Sequence, residues 1–199
     1  MSSSETHWKP TSCQAPDISL LSSDLVGEGI MKKFFHAAES HETKTRALRW
    51  GYLRLVDKCT YEYSRGRELL QAFVSSKPSE DRIGIMLHAA NHFETCIGSL
   101  HRAAKYLEAL RRDRTGPKIP HSIAVLRDIG RIRNVRDAIE HTDEDIWKQR
   151  ISPGDPHVLQ VKETGLALRK EEISYQELAK WIQDLHEQAT LIAEHGANV

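Results

Sequence analysis

The sequence predicts an all-α protein: an antiparallel four-to-five-helix up-and-down bundle with a small β-hairpin before the C-terminal helix. Three observations lead there. Apolar residues recur at three- and four-residue steps over long stretches, the breaks between stretches are short and rich in Pro, Gly and Ser, and only two brief β-prone runs interrupt the pattern.

Residues 1–16 are Ser/Thr/Pro-rich without periodicity and are expected to form a flexible tail, leaving 17–199 as a single helical domain. The first helical pattern, "DISLLSSDLVGEGIMKKFFHAAE", offers Leu21, Leu25, Met31, Phe34, Phe35 and Ala38, with Gly27 and Gly29 interrupting it. The second runs from "ETKTR" to "LLQAFV" and places Ala47, Trp50, Leu53, Val56, Tyr63, Leu70 and Phe73 on one side before "SSKPSED" stops it. The third, opening at "SEDRIGIM", carries Ile83, Met86, Ala90, Phe93, Ile97, Leu100, Ala104 and Leu107 on one stripe. A fourth starts after Ser122 as N-cap and continues to about Trp147, which is placed to close it. "VLQV" and "LALR", separated by "KETG" with Gly165 at the turn, predict a hairpin over about 158–169. Ser174 and Glu177 have capping-box spacing and open a last helix over about 174–195 that buries Leu178, Trp181, Ile182, Leu185 and Ile192.

Composition narrows the function classes. With 39% hydrophobic and 28% charged residues in 199, the chain reads as an ordinary globular protein. No apolar run reaches the ~18 residues of a membrane span and no signal-peptide layout opens it, so a cytoplasmic location is expected. Cys13, Cys59 and Cys96 are scattered, which disfavours a disulfide framework or a thiolate zinc site. No glycine-rich loop follows a strand, so dinucleotide and P-loop chemistry are disfavoured, and no cofactor is expected. Zero net charge argues against a dedicated duplex-DNA binder. Charge is nonetheless uneven: Arg102 to Arg136 holds ten Lys/Arg against three acids, and Asp137 to Asp145 holds five acids and no Lys or Arg. Such a basic zone either gathers phosphate locally or is simply a solvated face.

The fourth helix carries the chemistry. On a straight helix Val125, Ile129, Ile132, Ile139 and Ile146 form the apolar stripe, and Arg136 falls in its middle. A cation in an apolar seam needs a partner, a wet cleft or an interface, and Glu94 on the preceding helix is a candidate partner. A plain structural ion pair, with the Arg stem packed as hydrocarbon, is the simpler alternative. Across the helix lie Asn134, Asp137, His141 and Asp145, so Asp137 can reach His141 over one turn. A histidine, a carboxylate that orients it and an arginine are the groups that phosphate-ester cleavage needs: proton transfer from a ribose 2′-hydroxyl and neutralisation of phosphorane charge, with no metal demanded. His141 as an ordinary surface histidine is the alternative. His88 and His92, one turn apart, lack an evident third metal ligand.

"RDAIEH" resembles the Arg, four-to-six residues, His motif of HEPN domains, including the polar residue after the Arg. "HFETCIGSLHRAAKYL", with Glu94, is similar to the helix preceding that motif, and "LALRKEEISYQELAKWIQDLHEQA" resembles the hairpin and closing helix of abortive-infection members; the likeness covers about residues 40–195. The resemblance implies a dimerising helical bundle and, in many members, a metal-independent endoribonuclease whose site joins two motif copies across a homodimer. It implies Arg136 as phosphate clamp, His141 as general acid/base and Asp137 as its orienter, with RNA as substrate in phage defence or a toxin-antitoxin system. Arg136 and His141 stand about 140° apart on a straight helix, which a second subunit or a helix distortion would have to bridge. Arg133 with Asn134 is an alternative start, closer in angle but about 12 Å from His141 along the axis. A non-catalytic HEPN-like RNA-binding or protein-interaction module, and a toxin silenced by an antitoxin or nucleotidyltransferase partner, are the competing readings.

Overall fold

The computed structural model describes residues 10–21, 25, 43–77, 81–112, 118–120, 122–150 and 158–195. The fold is mostly helical, with a small antiparallel sheet before the final helix. Most of the first expected helix lies outside the described residues.

Two long helices, α1 (Thr43–Ser75) and α2 (Asp81–Arg112), form the body of the molecule. Ala47 and Ile83, expected on their apolar stripes, are exposed near the helix starts. Their contacts run in opposite chain order, as in a helical hairpin. Cys59 Sγ meets Cys96 Sγ at 3.5 Å, Glu62 meets His92 Nδ1 at 2.6 Å, and Arg82 Nε donates to the Phe73 carbonyl at 3.1 Å. All three cysteines are free thiols. Gly66 lets the pair close up, since a Cβ there would stand 3.1 Å from the Phe93 ring. Phe93 in turn meets Tyr63 edge-on, with ring centroids 6.0 Å apart, and Tyr175 at 5.4 Å, so three aromatic side chains tie the hairpin to the closing helix.

That closing helix, α6 (Tyr175–His195), opens as its capping box predicts: Ser174 Oγ donates to Glu177 at 2.8 Å, and the Glu177 N–H donates to Ser174 Oγ at 3.2 Å. Leu178, Trp181, Ile182, Leu185 and Ile192 are buried, and the Tyr52 hydroxyl donates to the Leu185 carbonyl at 2.6 Å.

The stretch from Ser122 to Trp147 is helical in three pieces, α3 (Ala124–Arg127), α4 (Ile129–Glu140) and α5 (Thr142–Trp147). Ile123, not Ser122, is the N-cap, and it makes no side-chain cap. Asp128 (φ −95°, ψ 8°) and His141 (φ −98°, ψ 6°) interrupt regular geometry, although His141 N–H still reaches the Asp137 carbonyl at 3.0 Å. These joints shift the buried line from its straight-helix position. Val125, Ile132, Val135 and Thr142 are buried, Ile129 and Ile139 only partly, and Ile146 and Trp147 are exposed, Trp147 to 86%. The expectation that Ile146 and Trp147 close the helix onto the core is therefore corrected.

The expected hairpin is a three-stranded sheet in the order β1 (Gln160–Val161), β2 (Gly165–Leu168), β3 (Glu171–Ser174). Gly165 is not the turn residue. It opens β2 opposite Ser174, where a Cβ would fall 2.3 Å from the Ile173 carbonyl oxygen. Residues 10–16, assigned to the tail, lie against this body: Arg67 Nε donates to the Ala15 carbonyl at 3.0 Å, Tyr63 to the Pro16 carbonyl at 3.1 Å, and Ala15 is buried. No described helix is long and apolar enough to cross a membrane.

Arg131 fastens α4 to the start of α6. Its guanidinium grips both oxygens of Glu177 and donates to the Glu172 carbonyl at 2.6 Å. That hydrogen bonding holds the Glu177 carboxyl down at about 2. A carboxyl whose folded value lies below its unfolded value near ~4.3 contributes stability above ~4.3, and the contribution is lost as pH falls toward 2. Wild-type Tm should thus fall more steeply than that of Glu177→Gln across this window. The difference should be small because the pair is partly solvated. Parallel Tm curves in a pH series of thermal melts would remove this role.

Candidate functional site

α4 packs along the second half of α2, and the residues of "RNVRDAIEH" divide between that seam and solvent. Val135 and Ile132 fill the seam. Arg136, one position on, sits at its rim with a side chain 26% exposed. Its Nη1 points inward to His101 Nδ1 at 3.4 Å, a long but directed contact. Its Nη2 lies 2.6 Å from Asp137 and 2.9 Å from Glu140. Asp137 Oδ1 has no hydrogen-bond partner among the described residues, so at Asp137 proximity of charge rather than bond alignment governs the contact. The guanidinium therefore has one edge against a buried imidazole and another against two carboxylates, of which Glu140 is the exposed one and the Asp137 oxygen in contact is buried.

His101 was not foreseen as part of the site, although the signal was present: it stands four residues after Ile97 and three before Ala104, on the apolar stripe of α2. It is 5% exposed. Burial first, then the charges of Arg136 and Lys105, push its pKa below the ordinary histidine value. A neutral ring that accepts at Nδ1 carries its proton on Nε2.

Glu94 is not the partner of Arg136. Its carboxylate accepts the Leu159 N–H, and burial raises its pKa, so it fastens the entry to β1 onto α2. An apolar groove of about 250 Å³ opens beside it, lined by Met86, Leu87, Ala90, Val158, Leu159 and Val161.

His141 lies at the α4/α5 joint with 57% of its side chain exposed, and its Nδ1 is 3.4 Å from Glu144. Glu144, not Asp137, is thus its carboxylate neighbour. Asp137 has turned to Arg136 because its own backbone position, adjacent to the Arg, places it at the rim. One turn beyond His141, Asp145 receives Arg169 Nη1 at 2.5 Å and stands 3.7 Å from Arg150, and the Arg169 hydrogen bond lowers its carboxyl pKa. Arg169 occupies the β2–β3 turn with φ 56°, so the sheet props the joint that carries His141. Arg133 and Asn134 are exposed and take part in neither network.

Within one chain the geometry thus brings Arg136 together with His101, Asp137 and Glu140, and His141 together with Glu144 and, more distantly, Asp145. It does not bring Arg136 and His141 into contact. His92 is engaged by Glu62, His88 is exposed, and among the described residues no three His, Cys, Asp or Glu side chains converge as metal ligands. Chemically, Nη2 of Arg136 can take an oxyanion if Glu140 swings away, and the accessible His141 ring can move a proton.

Compared with protein-family models, with curated proteins and with solved structures, the chain matches none.

Proposed function

We propose that this protein is a metal-independent endoribonuclease of HEPN type that cuts single-stranded or loop RNA as a homodimer, in phage defence or a toxin-antitoxin setting. The chain would form the up-and-down bundle of that family, with the motif helices of two copies facing each other. One observation carries the reading: a guanidinium anchored at a helix rim with one edge toward the exposed Glu140, on the same short helix that ends in an exposed histidine beside a carboxylate. Arg136 would bind the scissile phosphate and steady charge on its oxygens. His141 would take the 2′-hydroxyl proton and later protonate the leaving 5′-oxygen, with Glu144 rather than Asp137 as its neighbouring carboxylate. Because Arg136 and His141 belong to separate networks within one chain, a second copy is the simplest way to assemble them.

The experiment is cleavage of a labelled single-stranded RNA in EDTA. The reading expects 2′,3′-cyclic phosphate ends and no cleavage of the 2′-O-methylated strand, which lacks the nucleophile. Intact RNA at excess protein, or cleavage that needs added magnesium, overturns it.

A non-catalytic binding module is favoured by one observation: Asp137 and Glu140 already neutralise Arg136. In the nuclease reading Glu140, whose side chain is 53% exposed, holds the place that substrate phosphate takes. Glu140→Gln should then bind single-stranded RNA about two- to fivefold more tightly in fluorescence anisotropy, within the ~1 kcal/mol scale of exposed ion pairs. Unchanged affinity would mean that Glu140 does not compete with phosphate.

A further inference from the structure

The inner edge of Arg136 raises a separate question: why a polar ring is buried beneath a permanent cation. A guanidinium at an apolar rim loses water from whichever edge faces inward, and that edge needs an acceptor that carries no positive charge. The α2/α4 seam offers one. His101 presents Nδ1 to Arg136 Nη1 at 3.4 Å, while Val135 and Ile132 fill the neighbouring space. A protonated ring or a lysine at 101 would repel the guanidinium, and an aliphatic side chain would leave Nη1 without a bond. The seam is otherwise sparing with bonds: His101 Nε2 and Arg136 Nε are both buried without a hydrogen-bond partner among the described residues. Among the described residues, the Nη1 contact is the directed hydrogen bond that the guanidinium makes to another helix.

We propose that His101 is a positioning residue for Arg136: it takes Nη1 into the seam and so leaves Nη2 toward Asp137 and the exposed Glu140, whose place an RNA phosphate would take. This rests on the reading of Arg136 as the phosphate clamp, but the placement itself is a property of the resting protein. Asp137 and Glu140 attract the Nη2 side from the same helix that carries Arg136. His101 belongs to a different helix and gives the guanidinium a fixed external reference. Burial, together with the nearby charges of Arg136 and Lys105, favours the neutral ring that this role requires, against the opposing pull of Asp137 and Glu140.

The test compares His101→Leu, which keeps bulk and removes the acceptor, with His101→Gln, whose amide oxygen can accept from Nη1. Arginine side-chain NMR on the full chain reads rotation about the Arg136 Cζ–Nε bond, assigned by its loss in Arg136→Lys. Restricted rotation is expected in wild type and His101→Gln, and fast rotation in His101→Leu. In the EDTA cleavage assay His101→Leu should lose roughly 10- to 100-fold in kcat/KM, and His101→Gln should recover most of it. Thermal melts identify a variant that has lost its fold; if His101→Leu has, the Gln variant alone decides, and its Arg136 rotating freely would overturn the proposal. Equal Arg136 rotation in wild type and a folded His101→Leu overturns the positioning role whatever the activity. Restricted rotation that depends on His101, in a protein that never cuts RNA, upholds the positioning role and defeats the nuclease reading instead.

Discussion

Single-stranded RNA in EDTA should be cut by the His141→Ala protein about 10²- to 10⁴-fold more slowly than by wild type, the range that one positioned proton-transfer group supplies. His141 is well placed for a clean measurement. It is more than half exposed, meets a surface glutamate at 3.4 Å and is absent from the buried core, so Tm should hardly change. Arg136→Ala should cost about 10²- to 10³-fold, as removal of one charge-stabilising donor does. The Arg variant also leaves His101, Asp137 and Glu140 without their cation, and a modest fall in Tm should accompany the loss of activity. The two variants are thus distinguishable: one inert and as stable as wild type, the other inert and softened. Cleavage by His141→Ala at the wild-type rate, with the same product ends, would remove the histidine from the mechanism.

Trp181→Ala should destabilise the fold by about 3–5 kcal/mol, among the largest single-residue effects in the chain. The indole is almost wholly buried on α6, its Nε1 donates to Asp128 Oδ2 at 3.1 Å, and the Arg131 guanidinium stands 5.9 Å from its ring centroid. Asp128 is the joint between α3 and α4. Removing the indole therefore opens a cavity and also frees the hinge from which the motif helix is hung. Urea unfolding should show a large drop in midpoint, and activity measured well below the new midpoint should fall as well because α4 is less firmly seated. Trp181→Phe, which refills most of the volume but lacks the N–H, should recover the larger part of the stability. A Trp181→Ala unfolding free energy within ~0.5 kcal/mol of wild type would mean that α6 does not hold the motif helix.

The parts of the fold legible in the sequence are those with a strong period or a specific cap. The apolar stripe of α2 and the Ser174/Glu177 box marked their helices to within a residue or two, because burial of a long stripe and satisfaction of end N–H groups leave few alternatives. β3 was not legible. Glu171 and Glu172 mask its alternation, only Ile173 faces the core, and its two-residue turn is Arg169-Lys170 with φ 56° at Arg169, where a glycine or asparagine would have given the turn away. The buried line of α4 was displaced for another reason: projection at about 100° per residue assumes an unbroken helix, and Asp128 and His141 break it. The same breaks explain why Ile146 and Trp147 end in solvent.

For the candidate site, motif spacing marked Arg136 and His141, yet their neighbours differ from those expected. Glu94 belongs to the Leu159 N–H, Asp137 to Arg136, and Glu144 to His141. Spacing along one helix cannot choose among several carboxylates within a turn, since rotamers and the neighbouring helix decide. His101 comes from 35 residues upstream, so no local pattern could pair it with Arg136.

The most direct measurement mixes two proteins. Arg136→Ala and His141→Ala are purified separately, each inert alone, then combined under conditions that exchange subunits, with mixed dimers verified by native mass spectrometry and wild type as the active reference. Cleavage of single-stranded RNA in EDTA should reappear in the mixture, because one pairing across the mixed dimer retains both an intact Arg136 and an intact His141. A mixture that forms mixed dimers and leaves the RNA uncut would contradict a site shared between two subunits, as would a wild-type reference that does not cut.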